Sequence, residues 1–356
     1  MKAVEMNAFG SPDVLHLSER ETPSPGPDDV LIQNAASSVT FGDVYARRFH
    51  KVTPATFTMP LPLLLPAKLM MGWRKPKVSI LGSTFSGIVH STGSNVTRFS
   101  PGDEVFGYTG QQFGGYAEFI CLKETGVLAK KPQRLSFAEA ASLPYGFLMA
   151  YSLLKKAKLR RGESVLIIGA SGSIGSAMVQ LAGEEFGAEV SGVARHEGTA
   201  FVRSLGAADA YDSDVHVSGE WGAGYDLIVD IPNVLPFFMA KPLLTSNGRM
   251  MKVSFTGRQV IESLKTLRRR PRLLTRLASE SAGSLEKIAS MAEAGTIAPR
   301  IDRVFPLDGA ADAHTYVEST AHQGAVILEI QDLAGTAVPP VSGPPSVTDR
   351  ANSPDA

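Results

Sequence analysis

Cysteine is almost absent: Cys121 stands alone in 356 residues. That excludes an intramolecular disulfide and any cysteine-based zinc site. Long apolar runs are missing as well, and none approaches the ~20 residues of a membrane span. The first residues, MKAVEMNAFG, lack the apolar core of a signal peptide, so the expected location is the cytoplasm. There is no excess of charge, since 35 basic side chains balance 35 acidic ones, which argues against strong binding to nucleic acid. The seven histidines are scattered, with none at the i, i+4 spacing of a helical metal pair. Residues 331–356 hold five prolines and almost no large apolar side chains, and are expected to be a disordered tail. What remains, 44% apolar and 20% charged, is ordinary for a soluble enzyme and long enough for two domains.

The first 125 residues are punctuated by Gly and Pro. Short strands are read at Val30–Ala36, Phe85–Val89, Glu104–Gly107 and Ala117–Leu122, as in a compact β domain. From Phe137 the pattern becomes helix (Phe137–Lys156), strand, helix, strand, which predicts a doubly wound parallel sheet. Further strands are expected at Asp226–Asp230, Arg249–Val253 and Val326–Ile330. Two segments stand apart. Thr53–Lys77 is apolar and broken by prolines, and reads as a packed loop or an apolar lid. Leu267–Leu277, with five arginines among leucines, reads as a solvated helix face or a basic flank. Together they would suit a lipophilic substrate or an anionic membrane surface.

The stretch VLIIGASGSIG, Val165–Gly175, carries the most chemistry. A short buried strand (Val165–Ile168) runs into Gly169, Gly172 and Gly175, which allow a tight turn at the head of a helix expected over Ser176–Phe186. Such a turn offers backbone N–H groups around Ala170–Ile174 to a pyrophosphate, with the hydroxyls of Ser171 and Ser173 as further donors. The second strand, Glu189–Val193, then ends in Ala194-Arg195-His196 rather than an acid. A carboxylate there would bind an adenosine 2′-hydroxyl, whereas a guanidinium grips a 2′-phosphate. Arg195 and Ser191 are therefore read as the 2′-phosphate pocket, and the cofactor as NADPH.

These pieces in order resemble the medium-chain dehydrogenase/reductase superfamily, and within it the zinc-independent quinone oxidoreductase-like branch. The resemblance rests on Ser38-Val-Thr-Phe-Gly-Asp43-Val-Tyr45-Ala-Arg47, Leu81-Gly-Ser-Thr-Phe-Ser86-Gly87, Pro101-Gly-Asp-Glu-Val-Phe-Gly107 and Gly114-Gly-Tyr-Ala-Glu118. It continues through Ala141-Ser-Leu-Pro144, the glycine turn, Leu205-Gly-Ala207 and Ile301-Asp-Arg303-Val-Phe-Pro306. It implies an α/β fold with a GroES-like β domain (residues 1–128, completed by about 297–330). A Rossmann domain with a doubly wound parallel sheet (129–296) is inserted into it, and homodimers are common among such relatives. Zinc-using members place ligands near Thr40, Ser83-Thr84 and Tyr145-Gly146, so the resemblance implies no metal here.

Without a Lewis acid, oxidising a simple alcohol is difficult. Reducing a polarised acceptor, a quinone or an α,β-unsaturated carbonyl, needs only positioning and hydrogen bonds to the oxygen that gains charge. The resemblance implies Tyr45, Thr40 and Asp43 as the candidate catalytic residues, with orientation of the loop as the alternative role for Asp43. Ser254 and Phe255, just after the expected strand Arg249–Val253, are placed to contact the nicotinamide through their backbone. The resemblance further implies Tyr211, two residues before the family's usual tyrosine position, as a cofactor contact. Departures from the family pattern are Thr84 for Asp, Met149 for Thr, Ser213 for the usual Tyr, and Asp230-Ile-Pro232-Asn233 for an Asp-x-x-Gly turn. The expected activity is NADPH-dependent reduction of a large apolar acceptor. The alternatives are a silent NADPH-binding protein acting through a partner or RNA, and an enoyl-thioester reductase using Arg74, Lys75 and Lys77 as a phosphate channel.

Overall fold

The computed structural model describes residues 1–58, 60–215, 220–319 and 322–333. Most of the expected tail thus lies outside the described residues. Its first residue is held: Gln331 Nε2 donates to the carbonyls of Asn34 and Glu118, at 3.2 and 2.9 Å.

Two large sheets carry the molecule, beside a two-stranded one formed by Lys2–Met6 and Leu15–Glu19. In the first, Asp29–Val39 is the central strand. It pairs antiparallel with Thr84–Thr92 and Phe119–Lys123, and its far end pairs with Ala325–Glu329. Ile301–Pro306 lies parallel to Ala325–Glu329 at one edge, while Glu104–Tyr108 and Val127–Lys130 close the other. Both ends of the chain therefore build one sheet. Burial follows from composition, since Val30, Ile32, Phe85, Val89, Val105 and Leu128 form one apolar core of this domain.

The second sheet has six parallel strands in the spatial order Asp209–Asp212, Glu189–Ala194, Ser164–Ile168, Tyr225–Asp230, Leu244–Lys252, Arg272–Thr275. In chain order that is third, second, first, fourth, fifth, sixth, the Rossmann arrangement. It opens a crevice at the carboxyl ends of the first and fourth strands. Parallel strands covered on both faces need continuous apolar runs, and Val165–Ile168 is buried throughout. The helix Phe137–Ala157 joins the domains. Its first turns pack on Ile327 and Ala325 of the first sheet, and its later turns on Met178 and Leu181 of the second domain.

Leu267–Leu277 is not a helix. The helix before it, Gly257–Thr266, ends short of the arginines, and Arg272–Thr275 is the edge strand of the parallel sheet. Pro271 cannot extend a helix. The adjacent Leu273 and Leu274 drop into the cores on opposite faces of the sheet, which only a period of two permits.

Candidate functional site

The turn after Ser164–Ile168 is built on glycine for three different reasons. Gly169 sits at φ +83°, in the left-handed region. At Gly175 a Cβ would lie 2.1 Å from the Gly169 carbonyl oxygen, so two backbones meet where no side chain fits. Gly172 needs neither: its φ is −74°, and a Cβ there would meet nothing closer than 3.9 Å. Open space above an unstrained glycine is what a ligand approaching the backbone requires.

The helix begins three residues earlier than the sequence suggests, spanning Ser173–Glu184 with Gly172 as its extended N-cap. Ser176 N is the first amide to bond back, to Gly172 O at 2.8 Å. The amides of Ser173, Ile174 and Gly175 are thus left without intrahelical partners at a positive helix end. The cradle is shifted relative to expectation. Gly169 N and Ala170 N both donate to Val193 O, at 2.9 and 3.0 Å, tying the turn to the second strand. Ser173 Oγ donates to Gly324 O at 2.9 Å, and Ser171 O accepts from Gly324 N at the same distance. Both residues anchor the returning chain, Ser173 through its hydroxyl and Ser171 through its backbone carbonyl only, so of the two hydroxyls that of Ser173 is already engaged.

Arg195 is exposed, the N-cap of the helix His196–Ser204, directly past the second strand. Its neighbour His196 places Nδ1 2.8 Å from Asp212 Oδ2. The hydroxyls of Ser191 and Tyr211 turn to another partner. Ser191 is buried in the first half of its strand, and both residues interact with the phenol of Tyr225, the first residue of its own strand. In register Ser191 lies opposite Leu166 at mid-strand, and Tyr211 opposite Val193, beside the carboxyl end of the first strand at Ile168.

At the fourth and fifth strand ends, Asp230 and Lys252 form a buried ion pair of 2.5 Å. Asp230 also accepts from Leu235 N and Val234 N, while Lys252 Nζ donates to Leu235 O at 2.6 Å. The turn between them explains one departure: Asn233 has φ +63°, the conformation a glycine would supply and Asn tolerates best. Its side chain exchanges hydrogen bonds with Gln259, which also accepts from Thr256 N at 2.7 Å. Ser254 and Phe255 lie in the loop between, Ser254 half-buried and Phe255 buried. Met149 is half-buried one turn after Gly146, where the joining helix meets the glycine turn (a Cβ on Gly146 would lie 2.5 Å from Ser173 O).

On the other side, Thr40, Asp43 and Tyr45 share the short helix Phe41–Arg47. Thr40 and Asp43 form its capping box. Asp43 Oδ2 accepts from Thr40 N and Oγ1 at 2.8 and 2.6 Å, and Oδ1 accepts from Gly82 N at 3.0 Å. Burial pushes the Asp43 carboxyl up to about 6 against the pull of these bonds. Both residues are fully engaged in holding the loop. Tyr45 differs. Its ring packs on Phe41 and edge-on to Phe49, while its buried hydroxyl makes no well-formed hydrogen bond among the described residues, with the polar groups of Thr58 as neighbours. Burial raises its phenol pKa, partly opposed by nearby Thr58. Ser83, next to the Gly82 amide, is a second buried hydroxyl without a partner among the described residues, and sequence reasoning did not single it out. The resemblance had marked its position only as a lost metal ligand.

The segment Thr53–Lys77 folds into the turn Leu61–Leu63 and the helix Leu64–Met71. Leu64, Ala67 and Met71 seat on the same core as Tyr45. Leu61 reaches the other domain, where its Cδ1 would lie 2.9 Å from a Cβ on Gly257. The segment thus bridges from the Tyr45 side to the loop after the fifth strand.

Residues 26–133 match the family model of the alcohol dehydrogenase GroES-like domain, and residues 205–328 that of zinc-binding dehydrogenases. The chain is 30% identical over 345 residues to the quinone oxidoreductase of Rattus norvegicus, covering 92% of this chain and 97% of that one. It belongs to the medium-chain dehydrogenase/reductase superfamily. Within it, the chain falls in the zinc-independent quinone oxidoreductase-like branch and is an oxidoreductase. It is 29% identical to the NADPH-dependent alkenal/one oxidoreductase of Arabidopsis thaliana, covering 92% of this chain and 79% of that protein. The structure of the quinone oxidoreductase from Coxiella burnetii superposes with a TM-score of 0.80 at 27% identity, over 93% of this chain and 99% of that one.

The zinc in the second family description does not fit the residues present. Thr40 Oγ1 is bonded to Asp43, Thr84 Oγ1 to Ser38, and Tyr145 and Gly146 offer no thiolate or imidazole. Among the described residues no group of three His, Cys, Asp or Glu side chains is arranged to hold a metal, and no helix is long and apolar enough to cross a membrane.

Proposed function

We propose that the protein reduces a quinone or an α,β-unsaturated carbonyl with NADPH, in the cleft between residues 1–128 (with 297–330) and 129–296. The observation that carries the cofactor half is the open space above Gly172, at the head of a helix whose first amides have no intrahelical partner. Ser173, Ile174 and Gly175 would donate to the pyrophosphate, and Arg195 would grip the 2′-phosphate. Ser254 and Phe255 would flank the nicotinamide through their backbone. The names of the relatives, an NADPH-dependent alkenal/one oxidoreductase and quinone oxidoreductases, support the same assignment.

When bound, NADPH supplies a hydride equivalent to the acceptor carbon or quinone ring. The chain's own part is to hold the acceptor and stabilise the oxygen that becomes anionic. The Tyr45 hydroxyl, without a well-formed hydrogen bond among the described residues, is suited to donate one there and then its proton, replaced from solvent. Thr40 and Asp43 act one step back: their capping box fixes the helix that carries Tyr45.

The test is titration of the purified protein with NADPH and NADH, followed by addition of 1,2-naphthoquinone or a medium-chain 2-alkenal while nicotinamide absorbance is recorded. NADPH binding with acceptor-dependent oxidation, unchanged by a chelator, supports the reading. Binding without oxidation of any acceptor moves it to a non-catalytic NADPH-binding role, with Met149 near the glycine turn as the first residue to replace. Failure to bind either nucleotide overturns it.

A further inference from the structure

We propose that the segment Leu61–Lys77 docks the protein onto the surface of an anionic lipid bilayer. Apart from Lys68 the helix Leu64–Met71 is apolar all round, yet only one side is covered. Leu64, Ala67 and Met71 face the core, whereas Leu65 and Leu69 stand 58% and 59% exposed and Trp73 62%. A helix with so little polar surface is ordinarily buried on most sides. Leu65 and Leu69, spaced four apart, line up along the bare side, and Leu61 in the preceding turn is also partly exposed.

Charge says what covers them. Between Asp43 and Asp103 the sequence has no acidic residue but eight basic ones, in a chain whose net charge is zero. Of these, Arg74, Lys75 and Lys77 follow the helix directly, are exposed, and have no ion-pair partner among the described residues. Lys68 lies over the Trp73 ring, 4.9 Å from its centre. Exposed leucines and a tryptophan fringed by unpaired cations match the acyl boundary and headgroups of an anionic membrane. A second copy of the chain matches less well, because two-fold pairing through this face would set one basic fringe against the other. The face also borders the cleft, since Leu61 touches the loop at Gly257. An acceptor dissolved in the bilayer would then have a short path to Tyr45. Docking itself does not rest on the reductase reading and is measured without nucleotide.

The experiment uses the full chain and vesicles of phosphatidylcholine, alone or mixed with phosphatidylglycerol. Of the two tryptophans Trp73 is exposed and Trp221 buried, so a blue shift on binding reports this face, and Trp73→Phe should abolish it. Co-sedimentation with the mixed vesicles, weakened by salt and by omitting phosphatidylglycerol, is expected. Arg74→Gln/Lys75→Gln/Lys77→Gln should weaken it roughly a hundredfold, and Leu65→Ser/Leu69→Ser at least about tenfold. These side chains are exposed, so the melting temperature should hold. Should the leucine variant misfold, the charge variant still decides. Absence of binding, equal binding to neutral vesicles, or variants that alter self-association in sedimentation velocity instead of lipid partition would overturn the proposal.

Discussion

Arg47 and His314, 267 positions apart, are joined by a hydrogen bond in which Arg47 Nε donates to His314 Nδ1 at 3.3 Å. It ties the helix that carries Tyr45 to the helix Ala310–Glu318 from the far end of the chain. A guanidinium only donates, so Nδ1 accepts, and the ring proton sits on Nε2, donating to Tyr116 Oη at 3.1 Å. His314 is therefore neutral. Burial, with the charge of Arg47 beside it, pulls its pKa down to about 3. Arg47 is itself wholly buried, donating to Gly10 O at 2.7 Å and pairing with Glu318.

The first prediction concerns pH. The unfolded chain protonates His314 near its ordinary 6.5, the folded chain only near 3, so this residue makes stability fall as pH drops through that window. The slope is up to ~1.4 kcal/mol per pH unit. Asp43 works the other way. Its folded carboxyl takes up a proton near 6 and the unfolded one near 3.8, so stability rises as pH falls between them. From about pH 6 to pH 4 the two offset each other. Relative to wild type, His314→Asn should gain stability on acidification and Asp43→Asn should lose it, although both are less stable at neutral pH. Urea unfolding across that range checks this. Variants that track wild type in parallel would refute both assignments.

Tyr45 gives the second. A buried phenol without a well-formed hydrogen bond contributes little to the fold but can serve a ligand oxygen. Tyr45→Phe should leave the melting temperature within a degree or two and NADPH affinity unchanged, while lowering kcat by roughly tenfold or more. Pre-steady-state hydride transfer is the measurement. An unchanged rate would take Tyr45 out of the reaction and leave the buried Ser83 hydroxyl as the donor to replace next.

The third concerns cofactor choice. Arg195 is exposed at a helix start, with no competing partner among the described residues, so a 2′-phosphate would meet it directly. Arg195→Glu removes a charge-assisted fork and adds repulsion. NADPH affinity should fall roughly a hundredfold and NADH affinity change by no more than about threefold. Isothermal titration with both nucleotides decides. A surviving NADPH preference would assign the phosphate to some other group.

Much of this was legible in the sequence, for physical reasons that also mark its limits. Buried parallel strands advertise themselves as apolar runs, so Val165–Ile168 and Asp226–Asp230 could be read nearly to the residue. The capping box of Thr40 and Asp43 is in view as well, as a Thr three residues before an Asp, and the structure favours the loop-orienting role for Asp43. Ser191 reads as a cofactor contact by nearness in sequence to Arg195, whereas in the fold it lies at mid-strand and its hydroxyl meets Tyr225. The adjacent leucines 273 and 274 hid a strand behind five arginines. Contacts such as Arg47 with His314 had no local signature, because they depend on how two distant segments close one sheet.

The glycine turn allows a last prediction in which one motif yields two opposite results. Gly172→Ala places a methyl in open space on a backbone at φ −74°, so the fold should tolerate it with little change in melting temperature. If a pyrophosphate occupies that space, the same methyl displaces it, and NADPH affinity should drop at least about tenfold. Gly175→Ala forces a carbon to 2.1 Å from the Gly169 oxygen, with Ala170 Cα at 2.7 Å, so strand and helix must part. It should destabilise the protein by about 1–3 kcal/mol whether or not nucleotide is present. Thermal melts with and without NADPH separate the effects: the first variant loses the cofactor-induced rise in melting temperature while keeping its apo value, and the second loses apo stability itself. If Gly172→Ala bound NADPH as well as wild type does, the cofactor would not lie over this turn, and the helix head would have to be explained by its contact with Gly324 alone.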